Sequence, residues 1–198
     1  MILPFADRRE AGRALGAELA GRVENPIVLG LPRGGVPVAW EVARALGAPL
    51  DVFVVRKLGH PRQPELAMGA VASGGIRVLN DGVPKERLEE VTARELAALE
   101  ERERLYRGER PPLEIGDRTP VLVDDGLATG ASVRAALAAL GRGVVAVPVA
   151  PHETVDALRG DGIEVVCLAS PRPFVAVGAW YRDFAPTSDE EVQQLLRS

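Results

Sequence analysis

Cysteine is nearly absent from this chain. Cys167 stands alone among 198 residues, so no disulfide can close within it and nothing argues for an oxidising compartment. Lysine is almost as scarce, with Lys57 and Lys85 set against 22 arginines. Only eight residues are aromatic. No apolar run approaches the roughly 20 residues of a membrane span, and the opening MILPFADRRE holds no apolar stretch long enough for a signal peptide. A net charge of −4 excludes a broadly basic nucleic-acid footprint. What is present is ordinary for a folded domain: 46% hydrophobic and 26% charged residues. The expectation is one globular cytoplasmic domain over residues 1–198, with no membrane and no nucleic acid among its partners.

Neither repeats nor a low-complexity linker divide the chain. Short β-branched runs alternate with alanine- and leucine-rich stretches instead. Asp7 with Glu10 resembles a capping box for a helix carrying Ala11, Leu15 and Leu19 on one face. Strands are expected at 27–31, 50–56, 69–72, 76–79, 121–124, 144–149 and 163–169. Helices are expected at 36–46, 84–107, 132–140 and 154–159, and Ser188 with Glu191 caps a last one. Residues 57–68 carry Gly, Pro and charge without periodicity and read as a long loop. This alternation predicts an α/β fold, a mostly parallel sheet with helices on both faces. Ligands of such sheets bind beyond the carboxyl ends of the strands.

The segment Val121-Leu-Val-Asp124-Asp125-Gly126-Leu-Ala128-Thr129-Gly130-Ala131-Ser132 lies at such an end. A buried strand delivers two adjacent carboxylates, a turn of small residues follows, and a helix opens. The free N–H groups of a helix start, with the hydroxyls of Thr129 and Ser132, form a cradle for a phosphate. Carboxylates beside it would repel that phosphate, but they suit sugar hydroxyls as acceptors, or a metal one step further along the ligand. Rival signatures fail: there is no GxxxxGK[ST], no GxGxxG after the first strand, no GxSxG elbow, and no zinc-like cluster around His60, His152 and Cys167.

Residues 121–132 resemble the signature of the type I phosphoribosyltransferases, with two departures: Pro120 where the apolar run often extends, and Gly126 where an apolar residue is usual. The resemblance implies transfer of ribose 5-phosphate from phosphoribosyl pyrophosphate to a nitrogenous base, with Mg²⁺ held mainly by the substrate and pyrophosphate released. Asp124 and Asp125 would hold the ribose and serve catalysis. Ala128, Thr129, Gly130, Ala131 and Ser132 would anchor the 5-phosphate. Pyrophosphate would meet Arg33, Gly34 and Gly35 in the turn after the first strand, together with Arg56 and Lys57. Residues 57–68 would form a mobile loop over the reacting centre, and about 170–186 a small hood for the acceptor.

Half of all aromatics, Phe174, Trp180, Tyr181 and Phe184, fall in that hood. Phe174, Trp180 and Tyr181 could stack a base, or could equally pack a core edge or a dimer contact. Oxopurine enzymes of the family usually carry an acid where this chain has Ala128, and a lysine in the base pocket; neither lysine here lies near the hood. Adenine- and orotate-type relatives do not need that acid, so the acceptor stays open. A homodimer is plausible on resemblance. The alternative is a regulator that keeps the phosphoribosyl pyrophosphate site as a sensor.

Overall fold

The computed structural model describes residues 3–60, 63–79 and 85–198, with the side chains of 60, 63–68 and 85–88 set aside. Five parallel strands form the main sheet in the order β2-β1-β6-β7-β8: β1 (Pro26–Gly30), β2 (Leu50–Val52), β6 (Thr119–Val123), β7 (Val144–Val149) and β8 (Glu164–Ala169). Helices α1 (Arg8–Leu19) and α2 (Gly35–Leu46) cover one face, α4 (Ala131–Leu140) and α5 (His152–Gly160) the other.

The strands lack alternation because successive residues feed different cores. Val28, Val121, Val123, Val144 and Ala146 pack with Leu15, Leu19, Val38 and Val42. Their neighbours Ile27, Leu29, Leu122, Val145 and Val147 pack with Val133, Leu137, Val155 and Leu158. A polar residue at any of these positions would face one core or the other.

Chain order reverses between β1 and β6, which pair from Pro26↔Thr119 to Gly30↔Val123. Both strands therefore end at the same level, and the segments that follow them, from Leu31 and from Asp124, emerge side by side. That is the crevice where ligands of such sheets bind.

Two expectations are corrected here. The strand expected over 50–56 ends at Val52. The N–H of Phe53 still donates to Gly30 O at 3.0 Å, but that of Val54 donates to Ser73 Oγ at 2.8 Å, where the chain leaves the parallel sheet. The loop expected at 57–68 is instead mostly strand. β3 (Val55–His60) and β4 (Gln63–Ala72) pair antiparallel, and β5 (Ile76–Leu79) adds a third strand. Register shifts between Leu58, Gly59 and His60 break the two-residue period by which a strand is read, and so hide the hairpin. Arg62 and the side chains of His60 and Glu65 lie outside the described residues.

The long helix α3 (Lys85–Arg107) packs on this second sheet, and the final helix α6 (Asp189–Arg197) packs against α3, α2 and β2; Val91, Leu99, Tyr106, Val192, Leu195 and Leu196 join one core. At the end of α3, Arg107 enters the core. Its Nε donates to both oxygens of Asp51 at 2.8 and 3.0 Å, its Nη2 to Val52 O at 2.8 Å and its Nη1 to Glu103 Oε1 at 2.7 Å. Among the described residues, no helix is long and apolar enough to cross a membrane.

Both expected caps form: the N–H of Glu10 donates to Asp7 Oδ1 at 2.7 Å, and that of Glu191 to Ser188 Oγ at 3.1 Å. Replacing Ser188 by alanine is expected to lower stability by about 1 kcal/mol. Thermal unfolding should then shift down by about 2–4 °C for a chain of this size.

Candidate active site

Strand β6 delivers Asp124 and Asp125 to the carboxyl edge, both half-buried. The N–H of Asp125 donates to Asp124 Oδ1 at 2.9 Å. On the far side, Arg8 Nε donates to Asp125 Oδ2 at 2.8 Å, and the Tyr181 hydroxyl donates to Asp125 O at 2.5 Å. Burial, then the neighbouring charge of Asp125, push the Asp124 carboxyl well above its ordinary range. Asp125 is raised as well by burial, with Arg8 pulling it back down. Two acids this close favour holding one negative charge over two.

The turn that follows is tightly packed. Gly126 is buried, and a Cβ there would lie 2.5 Å from Val177 Cγ1 and 3.0 Å from Val149 O. The departure at this position is therefore a requirement of close approach. The N–H of Leu127 donates to Val149 O at 2.9 Å. Thr154 Oγ1 donates to Ala128 O at 2.7 Å, and Arg134 Nη1 to Thr129 O at 3.1 Å. With these carbonyls engaged from α4 and α5, Gly130 (φ +73°) opens α4. The first-turn amides of α4, beside the exposed Thr129 and Ser132, face the edge where an anion is favoured.

Beside it runs the turn Leu31–Gly35. The N–H of Leu31 donates to Val123 O at 2.9 Å, and that of Gly35 to Leu31 O at 3.0 Å; the Pro32–Arg33 peptide is cis. A Cβ on Gly34 would lie 2.0 Å from Asp125 Oδ2, and one on Gly35 2.6 Å from Val123 O and 2.8 Å from Asp124 Cα. The backbone of this turn thus lies directly on the two acids.

The basic residues divide. Arg33 and Arg56 line a cavity of about 230 Å³ with Arg102 and Tyr106 of α3. Asp189 gathers Arg33 at 3.9 Å, Arg102 at 3.3 Å and the Tyr106 hydroxyl at 3.1 Å, while Arg56 Nε pairs with Glu95 at 2.7 Å. Lys57, one residue on in β3, faces the opposite way, as the pleat requires. It lines a cavity of about 450 Å³ between the second sheet and α4, with Ala131, Ser132 and Arg134. Arg56 and Lys57, expected to act together on pyrophosphate, are therefore separated, Arg56 toward α3 and Lys57 toward α4.

The aromatic segment packs mainly on itself. Tyr181 is 6% exposed, with Phe184 stacked at 5.1 Å and Phe5 at 5.8 Å between ring centroids. Its ring is taken up by these contacts and its hydroxyl serves Asp125. Phe174 and Trp180 are half-buried, 6.3 Å apart.

Three residues near the site carried no role in the sequence reading. Arg8 follows a helix cap, Asp189 opens α6, and Arg102 sits in the long charged helix α3. None lies in a motif; each reaches the site through tertiary packing alone.

The β1/β6 crevice of the parallel sheet thus brings together a diacid, a turn of small residues that opens α4 and a glycine turn. Comparison with known proteins places this arrangement in a family. Residues 9–150 match the family described as the phosphoribosyl transferase domain. The chain is 48% identical, over 206 aligned positions, to "Putative phosphoribosyl transferase Rv0571c" of Mycobacterium tuberculosis H37Rv and to its counterpart MT0597 in strain CDC 1551. Those alignments cover 97% of this chain and 46% of each relative, so the chain spans about half their length. The crystal structure of TT1426 from Thermus thermophilus superposes with a TM-score of 0.88 at 49% identity, covering 97% of both chains. The chain belongs to the phosphoribosyltransferase family.

Proposed function

We propose that the chain transfers ribose 5-phosphate from phosphoribosyl pyrophosphate to a nitrogenous base, releasing pyrophosphate in a Mg²⁺-dependent reaction. The observation that carries this reading is the adjacency, at one crevice, of Asp124 and Asp125, the turn from Ala128 to Ser132, and the Gly34–Gly35 backbone lying on both acids. A ligand with a phosphate at one end, a diol in the middle and a diphosphate at the other suits these three parts.

Each part has a role. The first-turn amides of α4 with Thr129 and Ser132 hold the 5-phosphate, and this remote binding orients the sugar for in-line displacement. Asp124 and Asp125 accept hydrogen bonds from the ribose hydroxyls, and their charge offsets the positive charge that grows on the sugar as pyrophosphate departs. The Gly34–Gly35 backbone and Arg33 receive the leaving diphosphate. Lys57 lines the same cavity as Ser132 and adds positive charge on that side of the site.

The donor set suits a metal held largely by substrate: Asp124 and Asp125 are the carboxylates of the crevice, and Asp125 already engages Arg8. Mg²⁺ commonly uses one or two carboxylates and completes its shell with phosphate oxygens and water. When bound, it would neutralise charge on the departing pyrophosphate.

The test is pyrophosphate release from phosphoribosyl pyrophosphate with Mg²⁺ against a panel of purine and pyrimidine bases. Turnover with at least one base is expected. Asp124→Asn combined with Asp125→Asn is expected to lower it by at least about 10²-fold with the fold intact by circular dichroism. Tight binding of phosphoribosyl pyrophosphate without release for any base would overturn the enzymatic reading and favour a sensor.

A further inference from the structure

Arg8 is an unusual neighbour for the site. It lies at the start of α1, directly after the Asp7 cap, and its side chain is only 11% exposed. Two edges and one face of its guanidinium are engaged. Nε donates to Asp125 Oδ2 at 2.8 Å, Nη1 donates to Ala185 O at 2.8 Å, and Cζ sits 3.9 Å over the Phe184 ring. Phe184 stacks on Tyr181, whose hydroxyl donates to Asp125 O. Asp125 is thus held at its carboxylate and at its main-chain oxygen by one connected unit.

That unit also meets the glycine turn. A Cβ on Gly34 would lie 2.0 Å from Asp125 Oδ2 and 3.3 Å from Arg8 Nε. The turn therefore rests on the ion pair itself, and the position of one depends on the other.

We propose that Arg8 is a positioning residue of the site: with Phe184 and Tyr181 behind it, Arg8 fixes the rotamer and charge of Asp125, so that this carboxylate accepts a sugar hydroxyl while the Gly34 turn stays seated against it. The proposal rests on the transferase reading, and Arg8 is assigned no contact with substrate. Electrostatics supports it. Burial raises both Asp124 and Asp125, and Arg8 opposes that rise at Asp125. A protonated Asp125 would gain a donor and lose acceptor capacity. Arginine suits the task because one planar fork can hydrogen-bond at two edges while its face covers an aromatic ring. Lysine keeps the charge but not that geometry.

The test is a double-mutant cycle on the full chain, read as the Kd of phosphoribosyl pyrophosphate with Mg²⁺, and as kcat and KM. Arg8→Met is expected to weaken binding at least tenfold and to lower kcat/KM by about 10²-fold. Arg8→Lys should recover part of both. In an Asp125→Asn background, Arg8→Met should have little further effect, because its action passes through that carboxylate. A structural role alone would cost the same factor in both backgrounds, and that result would overturn the proposal. So would binding and turnover within twofold of wild type in Arg8→Met. Binding is read independently of turnover: a wild type that binds but releases no pyrophosphate sinks the enzymatic reading and leaves the cycle valid. A wild type that does not bind phosphoribosyl pyrophosphate overturns both.

Discussion

Alanine at position 34 is expected to lower pyrophosphate release by about 10²-fold, the scale on which a displacement of roughly 1 Å at a reacting centre acts. The added methyl carbon would lie 2.0 Å from Asp125 Oδ2 and 2.8 Å from its Cγ. Either the carboxylate rotates away from Arg8 or the turn lifts from the acids. Each outcome separates two groups that the proposed reaction needs on one ligand. Gly34 itself has φ −60° and ψ −31°, a conformation alanine adopts readily. The demand for glycine is therefore steric, and the defect should fall on the site more than on the backbone. Steady-state kinetics with a parallel thermal melt checks this: a large fall in kcat/KM with a modest change in melting is expected. Activity within threefold of wild type would show that Asp125 is free to move without consequence.

The second large effect concerns stability. Arg107→Met is expected to cost roughly 3–5 kcal/mol, because it leaves the Asp51 carboxylate buried without its charge partner. The two side chains are 5% and 6% exposed. Asp51 Oδ2 also accepts the N–H of Leu113 at 3.0 Å, so the same group ties the end of α3 and the segment after it to β2. Total stabilities of domains run on the order of 5–15 kcal/mol, so this one substitution removes a large share. Urea unfolding should show a lower midpoint with little change in slope. Removing both charges, Arg107→Met with Asp51→Leu, should recover much of the loss, since replacing both members of a buried pair with apolar residues is often close to neutral. A single variant within about 1 kcal/mol of wild type would mean that the Asp51 carboxylate does not depend on Arg107 for its burial.

The parts of this molecule visible in the sequence are those encoded over short spans. The apolar runs of β1, β6 and β7 feed two cores at once, and that absence of alternation is what marks a parallel sheet. The segments 121–132 and 31–36 are contiguous, so the diacid, the phosphate-type turn and the glycine turn could each be read in one piece. Their adjacency follows from the Gly30↔Val123 register, a product of strand order. The hairpin of β3 and β4 was hidden because its register shifts at Gly59 erase the period of two. Arg56 and Lys57 look like one basic site along the chain, yet the pleat sends them to different helices. Arg8 is 117 residues from Asp125, and no local pattern links them. The cluster of aromatics was legible as a count; that Tyr181 would turn its hydroxyl toward the diacid was not.

The closure behind Asp125 also bears on how the molecule is made. The N–H of Phe5 donates to Trp180 O, that of Arg182 to Phe5 O and that of Asp183 to Ala6 O, at 2.8–2.9 Å. Residues near both ends of the domain are thus zipped together directly behind the site. Every strand of the parallel sheet has been translated once Ala169 is added, whereas Tyr181, Phe184 and Ala185 have not. At about 5–20 residues per second, the sheet precedes its latch by roughly a second or more. A nascent chain at that stage has its core strands and its two acids but neither the Tyr181 hydroxyl nor the Phe184 face that backs Arg8. The backing of Asp125 therefore depends on residues made after the last sheet strand, and a chain stopped at residue 180 would carry every strand of the sheet without it.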